Sequence, residues 1–411
     1  MLTIRTIATR FPNLLKICSR SISSAKGLLE HVREKHGFEQ YDDQQSKFMQ
    51  IYERVHHSLE PLLESDSKYL AAFEYLSHPE QSHRFRVAWM DDNQQVQINT
   101  GWRVQWSSAL GPYKGGLRFH KTVTEDTLKF LAFEQVFKNA LTTLPMGGAK
   151  GGSDFDPTGR SDEEIMRFCQ SFMTALFRHI GPDLDVPAGD INVGGREIGY
   201  LFGQYKKLSN SFTGVLTGKG KSFGGSELRP EATGYGLMWY TVEMLKNLET
   251  TFEGKRCLVS GSGNVAQYSV DWLIDAGAKP LTFSDSTGGI YEPDGFTREQ
   301  WAWIMELKNV REGRIHEYLE YSDTAIDLPS PQDVWKIEAD FAFPCACENE
   351  IDGSDAQNLV DGGVYLVAEG ANMPCNDDAI DIFYKNEICY ATGKASNAGG
   401  VACSGLEMSQ N

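Results

Sequence analysis

Lys255-Arg256-Cys257-Leu258-Val259-Ser260-Gly261-Ser262-Gly263-Asn264-Val265-Ala266 is the stretch from which the fold of this 411-residue chain is read. Cys257, Leu258 and Val259 form a short apolar run of the kind that a strand buries on both faces. A Gly-x-Gly-x-x-Ala pattern follows at once, Gly261 to Ala266, and a helical pattern continues to about Ala276. A second strand, Pro280–Ser284, ends at Asp285, 24 residues after Gly261. Gly261 permits a tight turn, Gly263 lets the backbone approach a pyrophosphate, and Ala266 keeps helix and strand close. The free N–H groups at the helix start then face the anion. Residues 255–285 therefore read as a dinucleotide-binding βαβ unit.

The acid that ends this unit leaves the dinucleotide open. Asp285 can accept a ribose 2′-hydroxyl, which favours NAD. Ser286, with Lys308 and Arg311 on a later helix, can instead hold a 2′-phosphate, which favours NADP. The residues alone do not choose.

Composition sets the frame around this unit. The chain is 41% hydrophobic and 23% charged, with a formal net charge of −17. That acidity argues against nonspecific nucleic-acid binding and against anionic membrane surfaces. No apolar run approaches the roughly 18 residues of a membrane-spanning helix. The eight cysteines are scattered with no paired framework, which fits a reducing compartment. Cys345-Ala346-Cys347 lacks partners at zinc-like spacing, so no metal is expected. Residues 1–27 differ in kind: Arg5, Arg10, Lys16, Arg20 and Lys26 stand among serines, and no acid appears before Glu30. That pattern reads as an organellar transit peptide, with a mitochondrial address expected and a cytoplasmic one as the alternative.

Upstream of the βαβ unit the period changes twice. Leu28 to Leu76 is helical, with Phe48, Ile51, Tyr52, Val55 and Leu59 at spacings of three and four. Phe85, Val87 and Trp89 then alternate, as do Val96 and Ile98, and Trp102, Val104 and Trp106, with a turn at Asp91-Asp92-Asn93. Thr122-x-x-Glu125 and Ser161-x-x-Glu164 are capping boxes that open helices. Thr213–Gly225, rich in Gly, Ser and Lys, reads as the hinge between domains.

This half carries the candidate chemistry. Lys150 sits between two glycine pairs in Gly147-Gly148-Ala149-Lys150-Gly151-Gly152, and Lys114 precedes another pair in Gly111-Pro112-Tyr113-Lys114-Gly115-Gly116. The glycines are expected to give a ligand close access to a flexible backbone. Lys138 and Gln135, three apart, share a helix face between them. Clustered, partly buried ammonium groups disfavour one another's charge, so one lysine is expected to titrate toward neutrality and polarise a carbonyl or activate water. Asp190, in Pro187-Ala188-Gly189-Asp190, is the candidate acid–base partner, with a helix N-cap as its plainer reading.

At these residues the chain resembles the glutamate/leucine/phenylalanine/valine dehydrogenase family, in particular its small hexameric NADP-type glutamate dehydrogenases. The matching stretches are Gly111–Phe119, Phe133–Leu141, Pro145–Gly152, Pro187–Asp190, Arg229–Gly236, Glu369–Pro374 and Asn397–Val401 with Ser404. The resemblance covers about residues 30–411. It implies an α/β fold of two domains. The first, 28–225, is a substrate-binding and oligomerisation domain; the second, 226–395, is a Rossmann-like NADP-binding domain. Residues 396–411 would return to the first domain, and the chain stops inside an apparent helix where the family continues.

The resemblance also implies roles. Lys150 would polarise the 2-oxo carbon and activate water, and Asp190 would move a proton at the amino nitrogen. Lys138 and Gln135 would bind the substrate α-carboxylate, and Lys114 and Ser404 the side-chain carboxylate. Ala188 and Val401 would line the pocket. Thr233, Gly261, Ser262, Gly263, Asn264, Val265 and Asn372 would contact the dinucleotide. Relatives acting on aliphatic amino acids typically carry an apolar residue where Lys114 stands, so a dicarboxylate is favoured. Ser284-Asp285-Ser286 resembles the NADP-type members, with Lys308 assisting, and this turns the expected cofactor to NADP over NAD. The implied reaction is reversible oxidative deamination of L-glutamate to 2-oxoglutarate and ammonium by a homohexamer. An inactive nucleotide-binding subunit and an amino-acid dehydrogenase of different substrate are the alternatives.

Overall fold

The computed structural model describes residues 24–35 and 46–411. Contacts divide the chain into two compact units, residues 1–227 with Ser404–Asn411, and Leu228–Cys403.

The first unit is a mixed sheet with helices on both faces. Among the described residues, the region expected to be helical from about Leu28 to Leu76 contains three helices: α1 (Ala25–Lys35), α2 (Lys47–Leu63) and α3 (Ser67–Tyr75). Asp66 separates the last two because its side chain accepts from Lys68 N as an N-cap. Residues 1–23 of the expected transit segment lie outside the described residues. Ala25, within that segment, is fully buried, and its N–H donates to Glu64 Oε1 at 2.7 Å. The sheet contains β1 (Gln81–Met90), β2 (Val96–Ser107), β3 (Tyr113–Phe119), β4 (Gly148–Ser153) and β5 (Asp185–Gly189), in the order β1-β2-β4-β3-β5. The Val96 and Trp102 runs belong to one long strand, antiparallel to β1. β3 runs parallel to both β4 and β5.

One sheet face carries Leu117 and Phe119, packed on Phe168 and Phe172 of α5 (Asp162–Leu176) with α6 (Gly195–Ser209) beside it. The other faces α4 (Glu125–Leu141), whose Phe133 meets Trp106, Phe48 and Tyr52. Ser161 and Glu164 form the expected capping box. The α4 cap is Thr124, two residues after the expected Thr122, and its hydroxyl accepts from Thr127 N.

The second unit is built on five parallel strands in the order β13-β12-β11-β6-β7. These are β6 (Arg256–Val259), β7 (Lys279–Pro280), β11 (Phe341–Phe343), β12 (Leu366–Ala368) and β13 (Cys389–Ala391). Cys257, Val259, Phe341, Phe343, Leu366 and Ala368 enter one core, and Leu258, Ala342 and Val367 enter the other. The continuous apolar runs thus serve a sheet covered on both faces. Strand order reverses beside β6, so the glycine turn lies where such sheets bind ligands. The expected strand Pro280–Ser284 is split. Lys279–Pro280 pairs with β6, while β8 (Thr282–Asp285) joins β9 (Gly288–Tyr291) and β10 (Ile326–Leu328) in an antiparallel sheet. The unit's helices are α7 (Ala232–Asn247), α8 (Asn264–Asp275), α9 (Arg298–Asn309), α10 (Gly353–Asp361), α11 (Asp377–Lys385) and α12 (Gly393–Ser396). The last helix, α13 (Gly399–Gln410), is divided, and only residues from Ser404 belong to the first unit; 396–403 stay with the second.

Candidate active site

The lysine stretches are strands, which corrects the flexible loop expected of their glycines. Lys114 lies on β3 and Lys150 on β4, both buried. The glycines are required by close approach. A Cβ at Gly115 would lie 1.6 Å from Ala149 O, and one at Gly148 would lie 2.4 Å from Val136 Cγ2 of α4. No side chain fits there, so the sequence looks like a loop while the backbone is held on both sides.

Strand alternation places Lys114, Gly116 and Arg118 on one face of β3, the face on which α4 lies. Lys150 shares it, and its Nζ is 2.9 Å from Asp190 Oδ1. Arg118 Nε donates to Asp190 Oδ2 at 2.7 Å. Burial raises the Asp190 carboxyl, but Lys150 and then Arg118 outweigh it and hold the group well below the usual carboxylate range. Asp190 is therefore held as a carboxylate between two cations. Gly116 makes room for the pair, since a Cβ there would sit 2.8 Å from Asp190 Cβ and 3.3 Å from Lys150 Nζ. Arg118 received no role from the sequence. Reading the stretch as a strand would have found it, two residues beyond Gly116 on the face of Lys114.

Lys114 Nζ donates to Val186 O at 3.1 Å and to Thr217 Oγ1 at 2.7 Å. Thr217 Oγ1 is 2.5 Å from Ser404 Oγ. Lys114, Thr217 and Ser404 thus form a connected buried group of one ammonium and two hydroxyls, a donor set suited to a carboxylate. Thr217 was also missed, because Thr213–Gly225 reads as a hinge. The unit boundary lies later, at 227/228, and Thr217 and Lys219 are buried within the first unit. Ala188 pairs in register with Gly116 beside this group. Gln135 and Lys138 are half-buried on α4, and Gln135 Nε2 donates to Asn139 Oδ1 at 2.6 Å. Asn139 in turn donates to Lys114 O and Gly147 O, tying helix to strands. Beneath the sheet, the fully buried Arg103–Asp185 pair holds β2 to β5, and Arg103 also donates to Gly115 O and Gly116 O.

In the second unit, Gly261 has φ +79° and its N–H donates to Ser284 Oγ at 2.8 Å. Gly263 is the N-cap of α8 and supplies no capping side chain, and a Cβ there would meet nothing within 4 Å. The first-turn N–H groups beside Ser262, Asn264 and Val265 are therefore open to an anion, and the residues fit a dinucleotide pyrophosphate. Val265 Cγ1 lies near Gly370, which follows β12. Thr233 on α7 lies against Gly400, and Asn372 Oδ1 is 3.3 Å from Asn397 Nδ2. Val401 belongs to this unit.

Asp285 departs from the ribose role open to it in the sequence. Its Oδ1 accepts from Thr287 N at 2.9 Å and Thr287 Oγ1 at 2.5 Å; its Oδ2 accepts from Ile315 N at 2.9 Å and Lys308 Nζ at 3.1 Å. Burial pushes this carboxyl up, and these donors bring it down to about 2. Two donors on each oxygen leave no lone pair well placed for a 2′-hydroxyl. Lys308 and Arg311 are both engaged by neighbouring groups. Lys308 is committed to Asp285 and Gly313 O, and Arg311 pairs with Glu317 at 2.7 Å over the Trp303 ring. The cation beside Ser286 is Arg314, whose Nη1 donates to Ser286 Oγ at 3.2 Å.

Two family models match the chain: "Glu/Leu/Phe/Val dehydrogenase, dimerisation domain" over residues 79–207, and "Glutamate/Leucine/Phenylalanine/Valine dehydrogenase" over 224–411. An NAD(P)-specific glutamate dehydrogenase of Xylanibacter ruminicola is 61% identical over 82% of this chain and 76% of that protein. An NADP-specific glutamate dehydrogenase of Escherichia coli is 52% identical over 94% of this chain and 86% of that one. The crystal structure of Plasmodium falciparum glutamate dehydrogenase superposes with a TM-score of 0.90 at 53% identity, covering 94% of this chain and 81% of that one. The chain belongs to the glutamate/leucine/phenylalanine/valine dehydrogenase family.

Proposed function

We propose that the chain catalyses the reversible oxidative deamination of L-glutamate to 2-oxoglutarate and ammonium with NADP(H). It is an oxidoreductase. The observation that carries the substrate is the buried Lys114–Thr217–Ser404 group, beside the Lys150–Asp190 pair on one sheet face. A buried ammonium beside two hydroxyls offers a carboxylate charge-assisted hydrogen bonds, which an apolar side chain cannot return. Relatives named NADP-specific glutamate dehydrogenases support the same substrate and cofactor.

The residues divide the work. Lys138 and Gln135 hold the α-carboxylate, and Lys114 and Ser404, with Thr217, hold the distal one. Ala188 and Val401 line the pocket. Lys150 polarises the 2-oxo carbon and activates water. Asp190, kept ionised by Lys150 and Arg118, accepts and returns the proton of the amino nitrogen. Gly261, Ser262, Gly263, Asn264 and Val265 hold the pyrophosphate, with Thr233 and Asn372 as further contacts. Ser286 would meet the 2′-phosphate, with Lys308 assisting and Arg314, which donates to Ser286 Oγ, as a further cation; Asp285 shapes the turn that carries them. NADP, when bound, supplies the acceptor for the substrate Cα hydride.

Assembly and address are finer readings. A homohexamer is supported by the resemblance and by the dimerisation-domain description of the model matching 79–207. A mitochondrial address rests on the basic N-terminal segment alone, with a cytoplasmic one as the alternative. No helix among the described residues is long and apolar enough to cross a membrane. Mixing the purified chain with 2-oxoglutarate, ammonium and NADPH tests the activity. NADPH oxidation that requires all three supports it, and none from a folded, NADPH-binding protein contradicts it.

A further inference from the structure

Below the Thr217–Ser404 contact lies a second, wholly buried one. Glu407 follows Ser404 by three residues on α13, so both side chains leave the same face of the helix. Glu407 Oε1 accepts from Lys219 Nζ at 2.8 Å and from Lys219 N at 3.4 Å; its Oε2 accepts from Gly218 N at 2.9 Å. Lys219 Nζ also donates to Leu216 O. The Lys219 side chain is 1% exposed and that of Glu407 is 0%. Two successive N–H groups can face one carboxylate here because Gly218 has φ +80°. On its other side the segment is held to β5, where Thr217 N donates to Pro187 O at 3.0 Å.

We infer that Lys219 and Glu407 are the positioning pair of the distal-carboxylate subsite, holding Thr217 and Ser404 at the distance from Lys114 that selects a dicarboxylate. The inference rests on the glutamate reading of that subsite. Neither residue is a ligand. The ammonium of Lys219 is neutralised by Glu407, so it adds no charge to the substrate group. The contacts form a ladder of two rungs: Thr217 with Ser404, and Gly218–Lys219 with Glu407. Losing the lower rung frees the segment to shift along the helix, which lengthens the upper one. A buried ion pair stripped of one member leaves an uncompensated charge, so the segment moves to reach water.

Glu407→Gln keeps the side-chain shape and an acceptor oxygen and removes the charge. Gly218→Ala keeps both charges and forces the left-handed turn, where an added Cβ meets nothing within 4 Å. In each variant the KM for 2-oxoglutarate is expected to rise by roughly 10-fold or more, with the KM for NADPH unchanged. The preference in kcat/KM for 2-oxoglutarate over a 2-oxo acid with an apolar side chain falls by a similar factor. A merely structural role lowers the active fraction for both substrates alike and leaves both KM values in place, and that result overturns the inference. Should Glu407→Gln fail to fold, Gly218→Ala alone decides, because its cost is confined to one turn. If the unsubstituted protein itself prefers the apolar 2-oxo acid, the glutamate reading fails first. If it prefers 2-oxoglutarate and the variants do too, only the positioning role is lost.

Discussion

Lys150 Nζ and Asp190 Oδ1 stand 2.9 Å apart above Gly116, in a space that a single methyl group at position 116 would fill. The reaction centre is thus shaped by a missing side chain as much as by the two charged ones. The lysine comes from β4, the aspartate from the residue after β5, and the gap from β3 between them.

Lys150→Ala removes the group that polarises the carbon and activates water. The kcat is expected to fall by about 10³-fold or more, with dinucleotide affinity little changed because that site is built by the second unit. Turnover retained in a variant of native fold removes Lys150 from the chemistry.

Gly116→Ala tests the gap. Its Cβ would meet Asp190 Cβ at 2.8 Å and the backbone oxygen of Gly189 at 2.9 Å. Overpacking of this kind costs about 1–3 kcal/mol and displaces the carboxylate from the ammonium, so kcat should drop by at least about 10-fold. Melting temperature and kcat measured together check this; unchanged kcat would mean that the pair tolerates displacement.

Lys114→Leu leaves Thr217 and Ser404 without their ammonium. The kcat/KM for 2-oxoglutarate should fall by roughly 2–4 kcal/mol, about 30- to 1,000-fold, and far less for an aliphatic 2-oxo acid. Equal losses for both substrates would show that Lys114 is not the specificity contact.

Arg314→Ala probes the 2′-phosphate. One charge-assisted hydrogen bond is worth about 1.5–3 kcal/mol, so the KM for NADPH should rise roughly 10- to 100-fold while that for NADH stays level. A parallel rise for both dinucleotides would place Arg314 in the fold of the turn rather than in recognition.

Glu350 gives a pH dependence. Burial pushes its carboxyl from 4.5 to about 7, against hydrogen bonds from Ser260 and the N–H groups of Ala346 and Cys347, with Glu369 adding repulsion. Between those two values the folded chain holds a proton that the unfolded chain has released. Its contribution to stability therefore falls as pH rises through that window and is flat above it. Glu350→Gln should gain melting temperature relative to the unsubstituted protein on going from about pH 5 to about pH 8. Melting curves that keep a constant offset at both values would show that Glu350 titrates normally.

The dinucleotide turn was legible because its signal is local. Gly261, Gly263 and Ala266 answer to turn, approach and packing within six residues, and β6 and α8 stand where the pattern places them. The substrate sheet was less so. Glycine is depleted in strands, so the stretches that form β3 and β4 suggest flexible backbone, and what requires their glycines is the close passage of Ala149 O and Val136, which sequence does not display. Arg118 and Thr217 were hidden by that misreading and by the glycine-rich surroundings of Thr217. Asp285 was visible as an acid at a strand end, but its saturation by Thr287, Ile315 and Lys308 depends on a segment 30 residues away. Lys219 and Glu407, 188 residues apart, could be joined only by the fold.

Selection of a dicarboxylate and of NADPH together is read from the kcat/KM of reductive amination for 2-oxoglutarate and for an aliphatic 2-oxo acid, each with NADPH and with NADH. 2-Oxoglutarate with NADPH is expected to exceed every other combination, by about 10²-fold over the aliphatic acid. An aliphatic acid that matches 2-oxoglutarate, or NADH that surpasses NADPH, would contradict that selection.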